Sequence, residues 1–188
     1  MPRISEMTDV DFNGVDQPYV PPKVLTISAK LKLHQNWDSE IDPITYEVIR
    51  HNLWQINEEH GATIQRISGS PVAMYALDLN PSILTEDAEF VYFGPYMQYM
   101  SGVTDTQVKW TLEYRSDNPE INEGDMFIAN DPWVGAAHQQ DVMLLCPVFW
   151  QGELFCWVTN CLHQYDIGGI TPGSFCPSAE SVYDEGIL

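Results

Sequence analysis

Basic side chains are scarce in this sequence. Of 188 residues only 8 are Lys or Arg, against 27 Asp or Glu, a formal net charge of −19. A nucleic-acid backbone is held by clustered basic side chains, so nucleic-acid binding is excluded. An anionic membrane surface is disfavoured for the same reason. Long apolar runs are also missing. The longest, such as Val142–Trp150, fall far short of the roughly 20 residues that span a bilayer. The N-terminal stretch lacks the basic end and apolar run of a secretory signal, and the expected location is the cytoplasm. Cysteine is sparse: Cys146, Cys156, Cys161 and Cys176 contain no C-x-x-C pair. They read as reduced, partly buried thiols rather than a zinc knot or a disulfide framework. The phosphate-binding G-x-x-x-x-G-K-[ST] and G-x-G-x-x-G loops are absent, as is a G-x-S-x-G nucleophile elbow. No repeat of 20 to 50 residues is present.

What remains is a chain that is 44% hydrophobic and 12% aromatic. That is ample for one packed domain and rules out a disordered acidic tail. So large a charge opposes self-association unless a cation or a partner offsets it.

Residues 1–41 read as an extended arm. The stretch Asp16-Gln-Pro-Tyr-Val-Pro-Pro-Lys23 is proline-rich, and Val24–Leu33 alternates enough for an edge strand. A helix is expected from Asp42-Pro43, because Asp caps and Pro suits the first helical position. Ile49, Leu53, Ile56, His60, Ile64 and Ile67 recur at helical spacing as a core face, with Gly61 as a kink or a close contact. His60 there reads as a core histidine. Gly69-Ser70-Pro71 ends the helix. Val72–Leu79 reads as a strand and Asn80-Pro81-Ser82 as a turn. The aromatic stretch Phe90–Met100 reads as a buried or interface segment more readily than as a substrate wall. Thr104–Tyr114 is a second helix, and Met126–Ala129 a short strand. The fold class is α+β: a long N-terminal helix packed on a mostly antiparallel sheet.

The chemistry concentrates in two tetrads, His138-Gln-Gln-Asp141 and His163-Gln-Tyr-Asp166, which flank one hairpin. With a three-residue loop, Gln151–Glu153, Asp141 falls opposite His163; with a two-residue loop it falls one residue out of register. Pro147 predicts a bulge or an edge position nearby. Either way the side chains converge at the open end. Imidazoles and carboxylates on adjacent strand ends suit a divalent metal such as Mn²⁺, Zn²⁺ or Fe²⁺. His138, Asp141 and His163 are the expected ligands. Asp166 is expected as a fourth ligand or as an acceptor that orients a histidine. The plainer alternative is two polar loops hydrogen-bonded within themselves. Asp166–Gly173 is a glycine-bearing loop that closes on a ligand or merely turns the chain.

Several stretches carry a resemblance. Asp42-Pro-Ile-Thr-Tyr-Glu-Val-Ile-Arg50, Gly124-Asp-Met-Phe-Ile-Ala-Asn-Asp-Pro132, Gly135-Ala-Ala-His138, Asp166-Ile-Gly-Gly169 and Tyr183-Asp-Glu-Gly-Ile187 resemble the hydantoinase B / 5-oxoprolinase family. The likeness covers residues 42–188 and implies the N-terminal portion of a hydantoinase B-like subunit. The family includes large subunits of ATP-dependent ketone carboxylases. The spacing of His138, Asp141 and His163 is similar to the metal-ligand set of acetone carboxylases, and the aromatic content is closer to the acetophenone carboxylases. The resemblance implies carboxylation of a methyl ketone with bicarbonate, and a hetero-oligomer with a hydantoinase A-like subunit and small accessory subunits. ATP and Mg²⁺ would bind the partner. It also admits an ATP-dependent hydantoinase or 5-oxoprolinase that opens a ring, or a non-catalytic structural subunit. Met100 stands where many relatives carry a histidine, so no role of that histidine is carried over.

Overall fold

The computed structural model describes residues 18–36 and 40–188. Part of the expected arm, residues 1–17 and 37–39, lies outside them.

The long helix, α1, runs Pro43–Ile67, and the Asp42 carboxylate accepts from the Ile44 and Thr45 amides at its start. Those bonds satisfy donors that have no partner within the helix. Its inward strip differs from the expected face. Asn57 and Gly61 are buried, whereas Ile49, Ile56 and Ile67 are 45%, 54% and 76% exposed. Apolar side chains run around this helix, and the sheet takes only the strip that comes closest. Gly61 is the close contact: a Cβ there would lie 2.3 Å from the Tyr96 ring.

Residues 72–82 also differ from expectation. Pro71–Ala76 forms a short helix, α2, capped by Ser70. Cap and proline together start a helix where weak alternation suggested a strand. The strand follows as β1, Leu79–Thr85, and runs straight through Asn80-Pro81-Ser82. Proline is tolerated because the neighbouring strand β2, Phe90–Phe93, pairs with β1 only from Ser82 onward.

Next come α3, Gln98–Arg115, the short β3, Phe127–Ala129, and the hairpin of β4, Asp141–Trp150, with β5, Glu153–His163. The five strands form one antiparallel sheet in the order β2-β1-β5-β4-β3. Trp157, Leu145, Met143, Leu154 and Leu84 on one face of the sheet pack with Val108 and Leu112 of α3. Leu162, one residue from Cys161 and so on the opposite face, joins Leu79, Ala73 and Ile64 beneath α1 and α2. The Val24–Leu33 segment makes a single parallel bridge, Leu33 to Leu154, instead of an edge strand. Its backbone is instead tied to α3, with the Thr26 amide donating to Glu113. Among the described residues no helix is long and apolar enough to cross a membrane.

Candidate metal centre

The hairpin sets the geometry by an unexpected route. Its turn has two residues, Gln151 and Gly152, at φ 52° and 82°. Positive φ at both positions is the type I′ pattern, whose twist matches the strands. Trp150 therefore pairs with Glu153 and Phe149 with Leu154. By itself that register would leave Asp141 one residue off His163. A bulge between Val148 and Phe149, with Phe155 as the extra residue of β5, shifts the ladder, and Asp141 pairs with His163. Pro147 is adjacent to this bulge and beyond the end of β3, which reaches only Leu145.

His138 arrives from the turn before β4. The Asp141 amide donates to the His138 carbonyl at 3.1 Å, and Asn130 Nδ2 donates to the Gln139 carbonyl at 3.0 Å. His138 Nε2 then lies 3.4 Å from Asp141 Oδ1. His163 Nδ1 lies 3.3 Å from that same oxygen. One ligand atom from each of His138, Asp141 and His163 falls within a 4.8 Å cluster. Ligands bound tetrahedrally at about 2.1 Å stand about 3.4 Å apart, so the spacing suits a metal without rearrangement of the backbone. His138 Nδ1 faces Gln140 Oε1. A proton on that nitrogen leaves Nε2 as the free lone pair.

Hydrogen-bond satisfaction argues in the same direction. His163 and Asp141 are each 1% exposed, yet both ring nitrogens of His163 and Oδ1 of Asp141 lack a hydrogen-bond partner. Buried polar atoms are nearly always partnered, and the orphaned His163 Nδ1 and Asp141 Oδ1, which face each other at 3.3 Å, fit a bound cation. This disfavours the plainer reading of polar loops satisfied within themselves.

Asp166 is used otherwise than expected. It is exposed, and its two oxygens accept from the Gly168 amide at 2.8 Å and the Gly173 amide at 3.1 Å. Those bonds hold its carboxyl below the usual range and tie off a loop. Its own pair position opposite His138 is lost because the ladder ends at Asp141 and His163. The loop does reach the site through Phe175, whose ring lies 6.3 Å from His138 at 12° and 5.8 Å from His163.

Two contributors escaped the sequence reading. Asp78 Oδ2 lies 3.6 Å from His163 Nδ1. Burial pushes its carboxyl up, against the pull of His163. Asp78 precedes β1, and only the pairing of Leu79 with Leu162 brings it beside His163. Tyr99, in the first turn of α3, donates its hydroxyl to Asp141 Oδ2 at 3.1 Å. Burial, then the charges of Asp141 and Asp78, raise the Tyr99 phenol well above its ordinary value. The aromatic stretch that holds Tyr99 is thus divided between β2 and the start of α3. Met100 is fully buried in the core, pointing away from a ligand role. Cys161 is buried on β5, and burial followed by the charges of Asp141 and Asp78 raises its thiol. His60 is half-buried, and burial lowers its imidazole.

The family model for hydantoinase B/oxoprolinase matches residues 42–188. The chain belongs to the hydantoinase B/oxoprolinase family. It is 31% identical over 159 residues to 5-oxoprolinase 1 of Arabidopsis thaliana, covering 85% of this chain and 12% of that one. It is 32% identical over 147 residues to caprolactamase subunit beta of Pseudomonas jessenii, covering 78% of this chain and 25% of that one. Among solved structures it is similar to an acetone carboxylase that acts with ATP. The TM-score is 0.67 at 26% identity, over 70% of this chain and 17% of the other. This hydantoinase B-type chain therefore spans a quarter or less of the length of these three relatives.

Proposed function

We propose that this chain is the N-terminal part of a large subunit of an ATP-dependent ketone carboxylase, which adds bicarbonate-derived CO₂ to a methyl ketone of the acetophenone type. The observation that carries the reading is the cluster of His138, Asp141 and His163, with orphaned atoms on Asp141 and His163, in a fold similar to acetone carboxylase. These residues hold a divalent metal, Mn²⁺, Zn²⁺ or Fe²⁺. When bound, such a metal supplies Lewis acidity to a carbonyl or carboxylate oxygen. Gln140 keeps the His138 tautomer that leaves Nε2 free. Asp78 offers a further carboxylate near His163 Nδ1, the nitrogen that also faces Asp141. The Phe175 ring lies beside both imidazoles.

A hydantoinase A-like subunit and small accessory subunits complete a cytoplasmic hetero-oligomer, with ATP and Mg²⁺ on the partner. Residues 1–41 serve as an arm and residues 42–188 as the start of the hydantoinase B-like domain. The second reading, an ATP-dependent ring-opening hydrolase, is favoured by the identity to 5-oxoprolinase 1 and to caprolactamase subunit beta. A site that polarises a ketone oxygen also suits an amide oxygen, so the substrate decides. The test is turnover of the intact complex with ATP, using bicarbonate plus acetophenone or acetone in one arm and 5-oxoproline in the other. Ring opening without carboxylation overturns the first reading. Unchanged metal content after His138→Ala and His163→Ala overturns the ligand assignment under both.

A further inference from the structure

Asp141 has two oxygens in different surroundings. Oδ1 faces His138 Nε2 at 3.4 Å and His163 Nδ1 at 3.3 Å and has no hydrogen-bond partner. Oδ2 accepts from the Tyr99 hydroxyl at 3.1 Å. The carboxylate is 1% exposed, so water cannot replace the phenol as a donor. Carboxylates bind metals through one oxygen or through both, and the choice decides how many positions stay open for a substrate. We infer that Tyr99 is a positioning residue that occupies Oδ2 of Asp141, restricting that carboxylate to one-oxygen coordination and leaving a coordination position free for substrate. The inference rests on the metal reading above.

Tyr99 is well placed for this. It sits in the first turn of α3, while the residue beside it, Met100, is locked in the core. The side chain is therefore held from behind by packed backbone. Tyr99 is 44% exposed as a residue while its hydroxyl reaches the buried Asp141. A partner that orients a ligating group typically contributes 10- to 100-fold to metal affinity. Loss of the hydroxyl is therefore expected to weaken binding by that factor. It also frees Oδ2 to turn toward the metal.

The test is a Mn²⁺ titration of the metal-stripped, otherwise intact protein, followed by electron paramagnetic resonance. Wild type, Tyr99→Phe and the His138→Ala/His163→Ala double variant are compared. Tyr99→Phe keeps the ring, so packing is preserved. The expected result is loss of binding in the double variant, a 10- to 100-fold weaker affinity in Tyr99→Phe, and a changed zero-field splitting of its bound Mn²⁺. Wild-type affinity and spectrum in Tyr99→Phe overturn the role of Tyr99 while the metal site stands. Wild-type binding in the double variant overturns the metal site itself. Melting of the metal-free proteins supplies the second measurement. Metal-free Tyr99→Phe is expected to melt lower, because Oδ2 of the buried Asp141 loses its donor; a lower melting temperature together with weaker Mn²⁺ binding and a changed spectrum supports a role directed at the metal. A lower melting temperature with unchanged Mn²⁺ affinity overturns it, because the hydroxyl then serves only the fold.

Discussion

Removing the metal, or one of its ligands, provides a quantitative check on the site. In the metal-free protein the His163 ring and Asp141 Oδ1 are buried without partners. Each such group costs about 1–3 kcal/mol of desolvation. Relief of that cost enters through the affinity for the cation, and binding then stabilises the fold by about 2.7 kcal/mol when the free metal is 100 times its Kd. For a domain of this size 1 kcal/mol moves the melting temperature by roughly 2–4 °C, so that stabilisation predicts a rise of about 5–10 °C. Scanning calorimetry of chelator-stripped protein, with and without Mn²⁺ or Zn²⁺, reads this directly. His163→Ala also shifts the metal-free baseline, by the cavity it leaves set against the unpartnered nitrogens it removes. The prediction concerns the difference between the two scans, which should vanish in that variant. A metal-dependent rise of equal size in His163→Ala would refute the reasoning, since the cation would then be bound elsewhere.

Other consequences are simpler to measure. Trp157 is completely buried at the centre of the sheet, so Trp157→Ala should cost about 3–5 kcal/mol in denaturant unfolding. Gly61→Ala gains about 1 kcal/mol of helix propensity but meets the Tyr96 ring at 2.3 Å. Overpacking of about 1–3 kcal/mol should exceed that gain, and Tyr96→Ala in the same chain should remove the penalty. Burial raises the Asp78 carboxyl in the fold. Stability from that group is present below its unfolded value and is lost as pH rises through the folded value. Metal-free Asp78→Asn should therefore gain stability relative to wild type as pH rises through that window; a difference that does not change with pH would count against the burial argument. Burial also raises the Cys156 thiol to about 11, so its alkylation at neutral pH should be slow in folded protein and rise on unfolding.

Much of the frame was legible because its signals are local. Asp42-Pro43 announced α1, and Gln151-Gly152 announced the hairpin whose ends carry Asp141 and His163. The arithmetic of that hairpin was harder. A three-residue loop and a two-residue loop plus a bulge give the same pairing at the site, and alternation alone does not separate them. Asp78 and Tyr99 were invisible for a different reason. Each reaches Asp141 or His163 across more than 40 residues of chain, and only the strand order, with β1 beside β5, brings Asp78 there. The symmetry of Asp166 with Asp141 is one of sequence: in the fold its carboxylate accepts from two amides of its own loop. The helical face of α1 failed because period counts apolar residues without saying which of them the sheet reaches.

The bulge at Phe155 also separates the two ends of the hairpin as objects for engineering. A one-residue slip in a strand ordinarily sends every side chain to the opposite face. Here the register change is taken up between Val148 and Phe149, so only the last two pairs belong to the turn. Deleting Phe155 would make the ladder regular while Asp141 still met His163. The tip at Gln151-Gly152 has no neighbour that a Cβ on Gly152 would touch. A label or a short insert placed there would report on the sheet while leaving the far end in register. In mechanical terms the hairpin is a lever with a slipping joint, and the joint lies well away from the load.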